Sequence, residues 1–380
     1  MQPTSCINAR IARLGSTIAL AALLPGFAFA AWQQGATIRM TGEYESNPAL
    51  TSNAAADIRR VLLEPGYSLT GHFDNDEYRA GLSLLAVRTT NQQVNPDRDN
   101  PAAFLEWLHQ GENDEMGINI RYSEVSTREV NGAEATAQGT ASSVRASRMT
   151  GVKWTKALSE RTGFIADAAQ ESVFYRNGNF INYLSRSASA LIHHDLNEQT
   201  APYARLLYSD YMPDNTQDFS RLQSAAIGVN LATSEQLSGS AEVGRADAGN
   251  DQIITQGSLA VQYAMIQSAW NVSASRRISP SGLGGYAIVN QAAANWRYDL
   301  SERNSTGIDI SWQRSQSASS ITIASAEGTR KTGGIWIMNQ LAQNWQLRTY
   351  LTHNILENSS TGTAYSNLTG ITLTYTRPDF

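Results

Sequence analysis

Few residues of this sequence could do chemistry, because its 380 residues include only five histidines and one cysteine. The one cluster that suggests a metal site or an acid-base pair is His193-His194-Asp195. Neighbouring side chains of a strand point to opposite faces, so these two imidazoles cannot bind one metal ion without distortion. We therefore interpret the cluster as a solvated strand end.

Other catalytic and ligand-binding patterns are weaker still. Asp97-Arg98-Asp99-Asn100 offers oxygen ligands but lacks the spacing and closing glutamate of an EF-hand loop. The glycine-rich run 281–285 is followed by no predicted helix whose amide groups could bind phosphate. A hydrolase at the membrane rim would need a serine and a histidine paired across strands, and spacing in sequence does not establish such a pair. We expect no enzyme activity, no cofactor and no metal site.

The elements that carry these residues are strands, because apolar residues recur at every second position. Ile118 and Ile120, for example, alternate with Asn119 and Arg121. The same alternation recurs at 259–265, 308–313 and 345–352. Runs of about 10 to 13 residues are longer than typical globular strands and match a tilted membrane crossing. The pattern predicts an all-β protein whose apolar faces contact lipid.

The connections between these strands fall into a short and a long class. Four short ones are near-copies of each other, spaced roughly 35 to 40 residues apart or twice that: 157–161, 195–199, 232–236 and 299–303. This period equals two strands, one outer loop and one tight turn. Counting on this rule predicts a single transmembrane antiparallel up-and-down β-barrel over residues 31–380, with about 18 strands. Sixteen strands is the alternative, since 102–111 and 183–194 alternate poorly.

The first 30 residues are typical of a cleaved signal peptide. Arg10 and Arg13 precede the apolar run 18–24, and Ala28-Phe29-Ala30 forms a small-x-small cleavage site. The only cysteine, Cys6, lies in this segment, which argues against a lipoprotein. The formal net charge of −5 is not that of a nucleic-acid-binding protein. We expect export to the outer membrane of a Gram-negative cell, with an ordinary secreted globular domain as the alternative.

Residues near the strand ends support a membrane position. Aromatic residues cluster near the short turns, as in the interfacial girdle on the periplasmic side of a barrel: Trp154, Trp296, Tyr298, Trp336 and Trp345. Alternating residues and a terminal Phe380 make the last strand similar to the signal that barrel-assembly machinery reads, although Phe380 is out of phase with Tyr375. We expect outer-membrane lipid and that machinery among the partners.

If the apolar residues face lipid, the opposite parity places a set of charged residues in the lumen. The basic members are Arg39, Arg60, Arg79, Arg121, Lys153, Arg277, Arg297 and Arg348, and the acidic members are Glu43, Glu64, Asp167, Glu242 and Asp309. Charged groups that line a pore select ions and charged solutes. The basic excess favours an anionic or sugar-like solute. Alternatively, these charges pair with one another and only hold the shape of the barrel.

Short motifs give a more specific suggestion about function. They are Tyr44-Glu45-Ser46-Asn47-Pro48, Pro96-Asp97-Arg98-Asp99-Asn100-Pro101, Arg121-Tyr122-Ser123-Glu124 with Ser126-Thr127-Arg128-Glu129, and the turn from Trp154 to Arg161. The N-terminal half, which carries them, resembles outer-membrane barrels encoded with exopolysaccharide and exosortase (PEP-CTERM) systems. The resemblance implies a role in moving or anchoring a secreted polysaccharide, with periplasmic export components as partners.

Three functions therefore stay open at this point. The first is a channel that takes part in exopolysaccharide export across the outer membrane. The second is a general or small-solute porin, which would need a long constricting loop, and 126–145 is the best candidate for it. The third is a non-conducting barrel that docks other proteins, as expected if the lumen charges form a closed network of salt bridges.

Overall fold

The structure is a computed structural model that describes residues 32–52, 56–130, 133–136, 143–176, 180–215, 219–249, 253–318, 327–358 and 362–378. Its strands are β1 (Trp32–Glu45), β2 (Ile58–Phe73), β3 (Asp76–Thr89), β4 (Arg98–Gln110), β5 (Asp114–Ser126), β6 (Val144–Ser159), β7 (Thr162–Tyr175), β8 (Tyr183–His194), β9 (Thr200–Pro213), β10 (Ser220–Ala232), β11 (Leu237–Asp247), β12 (Ile253–Ala264), β13 (Ser268–Ser281), β14 (Gly285–Ser301), β15 (Asn304–Ser317), β16 (Gly328–Ala342), β17 (Trp345–Asn358) and β18 (Gly362–Pro378). The predicted signal peptide 1–30 and Phe380 lie outside the described residues.

The strands form one closed antiparallel sheet. Each strand pairs with its neighbours in the chain, and β1 also pairs with β18 from Gly35 opposite Pro378 to Glu45 opposite Leu368. The predicted 18-stranded up-and-down barrel is therefore confirmed. The two segments that alternate poorly are strands β4 and β8, so the alternative of sixteen is wrong.

The alternation of apolar and polar side chains explains how this closed sheet can lie in a membrane. Large apolar side chains of one parity are exposed on the outside, such as Ile310 with 56% of its surface accessible and Ile335 with 56%. Aromatic pairs extend this outer face near the short turns, where the rings of Trp270 and Trp296 lie 5.7 Å apart. The prediction that Trp336 belongs to the outer aromatic girdle is wrong. Trp336 has the opposite parity to Ile335 and therefore faces the lumen, where its ring centroid lies 5.0 Å from the Arg348 guanidinium carbon.

Short turns lie at one rim of the barrel, here the turn rim, and most of the connections at the other, the loop rim, are longer. In three of the four near-copied turns a serine side chain accepts hydrogen bonds from backbone amides of the turn, and in 195–199 Asn197 Oδ1 accepts from Gln199 N at 2.9 Å. Ser159 Oγ accepts from Thr162 N at 3.1 Å, and Ser234 Oγ accepts from Leu237 N at 3.0 Å. The only helical segment within the described ranges is the 3₁₀ turn Ala133–Thr136, and no described helix could span a membrane.

One hairpin leaves the barrel wall near the loop rim. The β12–β13 ladder ends where Gly257 pairs with Arg276, whereas the β13–β14 ladder continues to Ser281 opposite Gly285. Beyond Arg276 the hairpin folds into the barrel, and Tyr286 there donates a hydrogen bond to the carbonyl of Ser209 at 2.9 Å. The segment 279–285, which forms the tip of this hairpin, is thus mostly strand and lies inside.

The inward hairpin packs against the inner wall and forms the main apolar cluster of the barrel. Its members from the hairpin and from the wall are Ile278, Tyr286, Ile288, Val173, Tyr183, Tyr211, Leu222, Ala246, Ala248, Ile254 and Ala318. By parity, Ile278, Tyr286 and Ile288 belong to the set of residues that face outward nearer the turn rim of the same strands. They are buried here because the whole hairpin tip has moved inside the wall.

Candidate solute pathway

The connection between β5 and β6 also enters the barrel. Its 3₁₀ turn reaches β16, where the carbonyl oxygen of Thr136 lies so close to Gly328 that a β-carbon there would be 2.4 Å from it. Since β6 and β16 lie far apart in the strand order, the connection crosses the lumen. It contains most of the segment 126–145 that the sequence offered as a constricting loop.

Glu134 joins this connection to the inward hairpin and to the wall. Only 2% of Glu134 is exposed, and its Oε1 accepts hydrogen bonds from Gly282 N and from the Tyr175 hydroxyl, both at 2.7 Å. Gly282 is the tip of the β13–β14 hairpin, and Tyr175 ends β7. One carboxylate therefore holds together the two segments that narrow the lumen.

A cavity of about 380 Å³ remains beside this constriction, against the continuous stretch of wall formed by β16–β18 and β1–β3. Five arginines and four glutamates line it: Arg39, Arg60, Arg98, Arg128, Arg330, Glu43, Glu45, Glu64 and Glu129. Most of these charges are paired at close range. Arg60 lies 2.7 Å from Glu43, and Arg128 lies 3.0 Å from Glu45.

Arg330 differs from the other arginines of the cavity, because it makes no ion pair with a described carboxylate. Its Nη1 donates to the carbonyl of Arg128 at 2.6 Å, and its Nη2 donates to Asn354 Oδ1 at 3.4 Å. Its Nε is buried without a hydrogen-bond partner among the described residues. A half-buried guanidinium without a direct ion pair favours the approach of an anion.

The structure places four of the residues that the sequence assigned to the lumen around this cavity. Arg39, Arg60, Glu43 and Glu64 line the cavity. Arg79 and Arg121 line a second recess of about 700 Å³ between β1 and β5, nearer to the turn rim.

The other predicted charged residues are spread around the inner wall and are mostly paired. The pairs are Arg121 with Glu106 at 2.5 Å, Lys153 with Glu115 at 3.8 Å, Arg297 with Asp299 at 2.8 Å, Arg348 with Asp309 at 3.7 Å, Arg205 with Glu242 at 2.5 Å, Ser189 with Asp167 at 2.6 Å, and Arg79 with Glu77. Arg277 lies just beyond the point where β13 leaves β12. This pairing supports the alternative in which many of these charges serve the shape of the barrel.

Sequence reasoning missed several residues of the cavity: Glu45, Arg98, Arg128, Glu129 and Arg330. All but Arg330 belong to the short motifs quoted above. These motifs are distant in the chain but meet in the lumen, where Arg98 lies 3.0 Å from Glu129. The motifs were therefore a signal for the site, although alternation gave no reason to place them together.

The histidine cluster does not form a site. His194 Nδ1 lies 3.0 Å from the Thr162 hydroxyl, while His193 lies over Gly163, where a β-carbon would be 2.2 Å from its ring. Among the described residues, no group of histidine, cysteine, aspartate and glutamate side chains is arranged to hold a metal ion.

Comparison with known proteins identifies the fold. No family model matches the chain, and no curated protein matches it in sequence. Solved structures do match. The crystal structure of Acinetobacter baumannii OccAB4 has 8% identity and a TM-score of 0.52, and the alignment covers 92% of this chain and 98% of OccAB4. Pseudomonas aeruginosa OpdQ has 10% identity and a TM-score of 0.50, with 91% and 99% covered.

A third neighbour is P. aeruginosa OccK5 (OpdH), with 11% identity, a TM-score of 0.50, and 92% and 99% of the two chains covered. The chain has the barrel fold of outer-membrane porin structures. At identities this low, the likeness establishes the fold alone.

Proposed function

We propose that this protein is a porin-like channel of the outer membrane that admits small polar solutes and prefers anions. The observation that carries the proposal is the β5–β6 connection, which crosses the lumen and reaches Gly328 while leaving a charged cavity open beside it. A barrel that only docks partners would not need an internal loop around a polar cavity. The porin fold of the structural neighbours supports the same function and the outer-membrane location.

The size and charge of the cavity support the class of solute. Pockets of about 300 to 1,000 Å³ accommodate molecules of drug size, and the cavity of about 380 Å³ is at the lower end of this range. Five arginines against four glutamates leave one positive charge in excess. Arg330 is the arginine that carries this excess, because the other four are each paired with a glutamate.

Exopolysaccharide export, the function that the sequence resemblance implies, is the second candidate. The motifs of that resemblance supply Glu45, Arg98, Arg128 and Glu129 to the cavity, which favours a role for them in contacting a solute. A polysaccharide chain would have to pass the constriction held by Glu134. We therefore place small-solute transport first, with secreted polysaccharide and periplasmic export components as the partners of the alternative.

Single-channel recording in a planar bilayer tests the proposal. The refolded protein should conduct ions, and in a salt gradient its reversal potential should indicate selectivity for anions. Arg330→Gln should shift that potential toward cation selectivity, whereas Arg297→Gln, a matched change near the turn rim, should shift it less. Oligosaccharides of graded length distinguish the candidates: block by small solutes alone supports the porin, and block by long chains supports export. Silence from folded protein would contradict both and favour the docking barrel.

A further inference from the structure

The outer face of the barrel carries a second set of basic residues near the loop rim. They are Arg59, Arg88, Arg148, Arg186, Arg221, Arg245, Arg276, Arg314 and Lys331, on nine different strands. Each shares its parity with an exposed apolar residue of the same strand, as Arg245 does with Val243, which is 55% exposed, and Arg314 with Ile310. Since alternate side chains of a strand share a face, all nine point away from the lumen.

Three of these arginines form a row that the strand register fixes. Arg245 pairs with Thr255, and Arg276 lies opposite Gly257, two residues further along β12. Arg276 also pairs with Asn290, which in turn pairs with Arg314. The outer basic row is thus Arg245, Arg276 and Arg314, with Thr255 and Asn290 between them. Successive arginines are two strands apart, which corresponds to about 10 Å.

Hydrogen bonds hold the middle arginine of the row against the sheet. Arg276 Nε donates to the carbonyl of Thr255, and its Nη1 donates to Asn290 Oδ1, both at 2.9 Å. The Thr255 carbonyl lies beyond the end of the β12–β13 ladder at Gly257. The guanidinium therefore lies flat beside the gap in the ladder and is oriented before any ligand binds.

The arginines at the two ends of the row, Arg245 and Arg314, are exposed and make no ion pair with any other described residue. Carboxylates on the same face near this rim mostly have other partners: Asp99 pairs with Arg88, Glu124 with Arg176, Asp210 with Arg221, and Glu357 with Lys331. Asp247 accepts a hydrogen bond from Gly249 N.

Most of the exposed apolar residues of β11–β15 lie on the turn-rim side of the row, and Ile253, which is 67% exposed, lies beyond it. Val243, Ala274 and Trp312 precede the three arginines by one outward position each. A charged side chain on the lipid face is costly at the bilayer midplane and costs little near the interface. The row therefore lies at headgroup level, and long loops place this rim on the outer side of the membrane.

We propose that the outer basic row binds a lipid of the outer leaflet whose headgroup carries more than one phosphate. Guanidinium groups bind phosphate through paired hydrogen bonds, and arginines about 10 Å apart suit a phosphorylated disaccharide better than a headgroup with one phosphate. The row would fix this lipid against β11–β15, next to the hairpin that folds into the lumen. The proposal rests on the outer-membrane location proposed above, but not on the solute of the channel.

The test measures binding of diphosphoryl lipid A to the refolded full-length barrel in detergent micelles, by native mass spectrometry. Wild-type protein should bind it at least tenfold more tightly than fully dephosphorylated lipid A or phosphatidylglycerol. The double variant Arg245→Gln/Arg314→Gln should lose that preference, and Arg245→Lys/Arg314→Lys should keep part of it. The matched control Lys156→Gln/Arg377→Gln removes two outward charges at the turn rim and should bind as wild type does.

Equal affinity for the three lipids, or an unchanged affinity of the glutamine double variant, would overturn the proposal. An equal loss in the control would also overturn it, because binding would then follow net charge and not the row. If the double variant does not show the heat-dependent gel shift of a folded barrel, Arg314→Gln alone replaces it with the same expectation of loss. Conductance in phosphatidylcholine bilayers is measured on the same preparations, so failure of the channel and failure of lipid binding are read separately.

Discussion

Release of the loop that crosses the lumen should widen the pathway, and Glu134 is the residue to change. Its carboxylate holds Gly282 N and the Tyr175 hydroxyl, both at 2.7 Å, in a buried position. A hydrogen bond to a charged group contributes about 1.5 to 3 kcal/mol. Tyr175→Phe removes one such bond, and Glu134→Ala removes both, so the closed loop should lose about 1.5 to 3 and about 3 to 6 kcal/mol respectively.

These energies translate into populations that a single-channel recording resolves. Each 1.4 kcal/mol is a factor of ten, so Tyr175→Phe should raise the fraction of released loop by roughly tenfold to a hundredfold. We expect larger conductance steps, or brief excursions to a larger step, with the effect stronger in Glu134→Ala. The anion preference should weaken at the same time, because a solute could bypass the cavity.

The control is Tyr365→Phe, which removes a hydroxyl from an exposed tyrosine on the outer face near the same rim. It should leave conductance unchanged. Both loop variants should keep the heat-dependent gel shift of a folded barrel, because no barrel ladder is altered. If Glu134→Ala is folded and conducts with the step size, noise and selectivity of wild type, the loop does not limit the pathway and the reasoning is refuted.

Other predictions concern the wall itself. Ile310→Arg places a charge on the lipid face and should destabilise insertion by about 2 to 4 kcal/mol, seen as a lower folded fraction in vesicles, while Ile310→Val should insert normally. Gly307→Ala should lower the midpoint of thermal unfolding, because its β-carbon would meet the Trp296 carbonyl and the Trp336 ring at 2.4 Å. The matched control is Gly333→Ala, whose β-carbon would have no atom within 4 Å. Equal midpoints for the two variants would contradict the packing argument. Ser234→Ala removes two hydrogen bonds from a turn and should cost about 1 kcal/mol or more in urea unfolding; an unchanged midpoint would mean that solvent replaces the serine.

The sequence alone determined the barrel, because a strand that faces lipid on one side and water on the other must alternate. Ile120 and Arg121 show this directly, and the repeated serine turns marked where strands reverse. The strand count followed from the spacing of the near-copied turns, in each of which a side-chain oxygen of serine or asparagine accepts a hydrogen bond from a backbone amide. These are local constraints, in which each residue depends only on close neighbours in the chain.

Only the tertiary structure decided which residues meet inside the barrel. Arg128 and Arg330 are 202 positions apart and come into hydrogen-bond contact because the β5–β6 connection crosses the lumen. Alternation also could not predict that Tyr286 lies inside the barrel. It indicates which residues share a face of a strand, but not where that face points once a hairpin leaves the wall. Loop direction depends on contacts such as those of Glu134 with Gly282 and Tyr175, which join distant parts of the chain and leave no periodic pattern in the sequence.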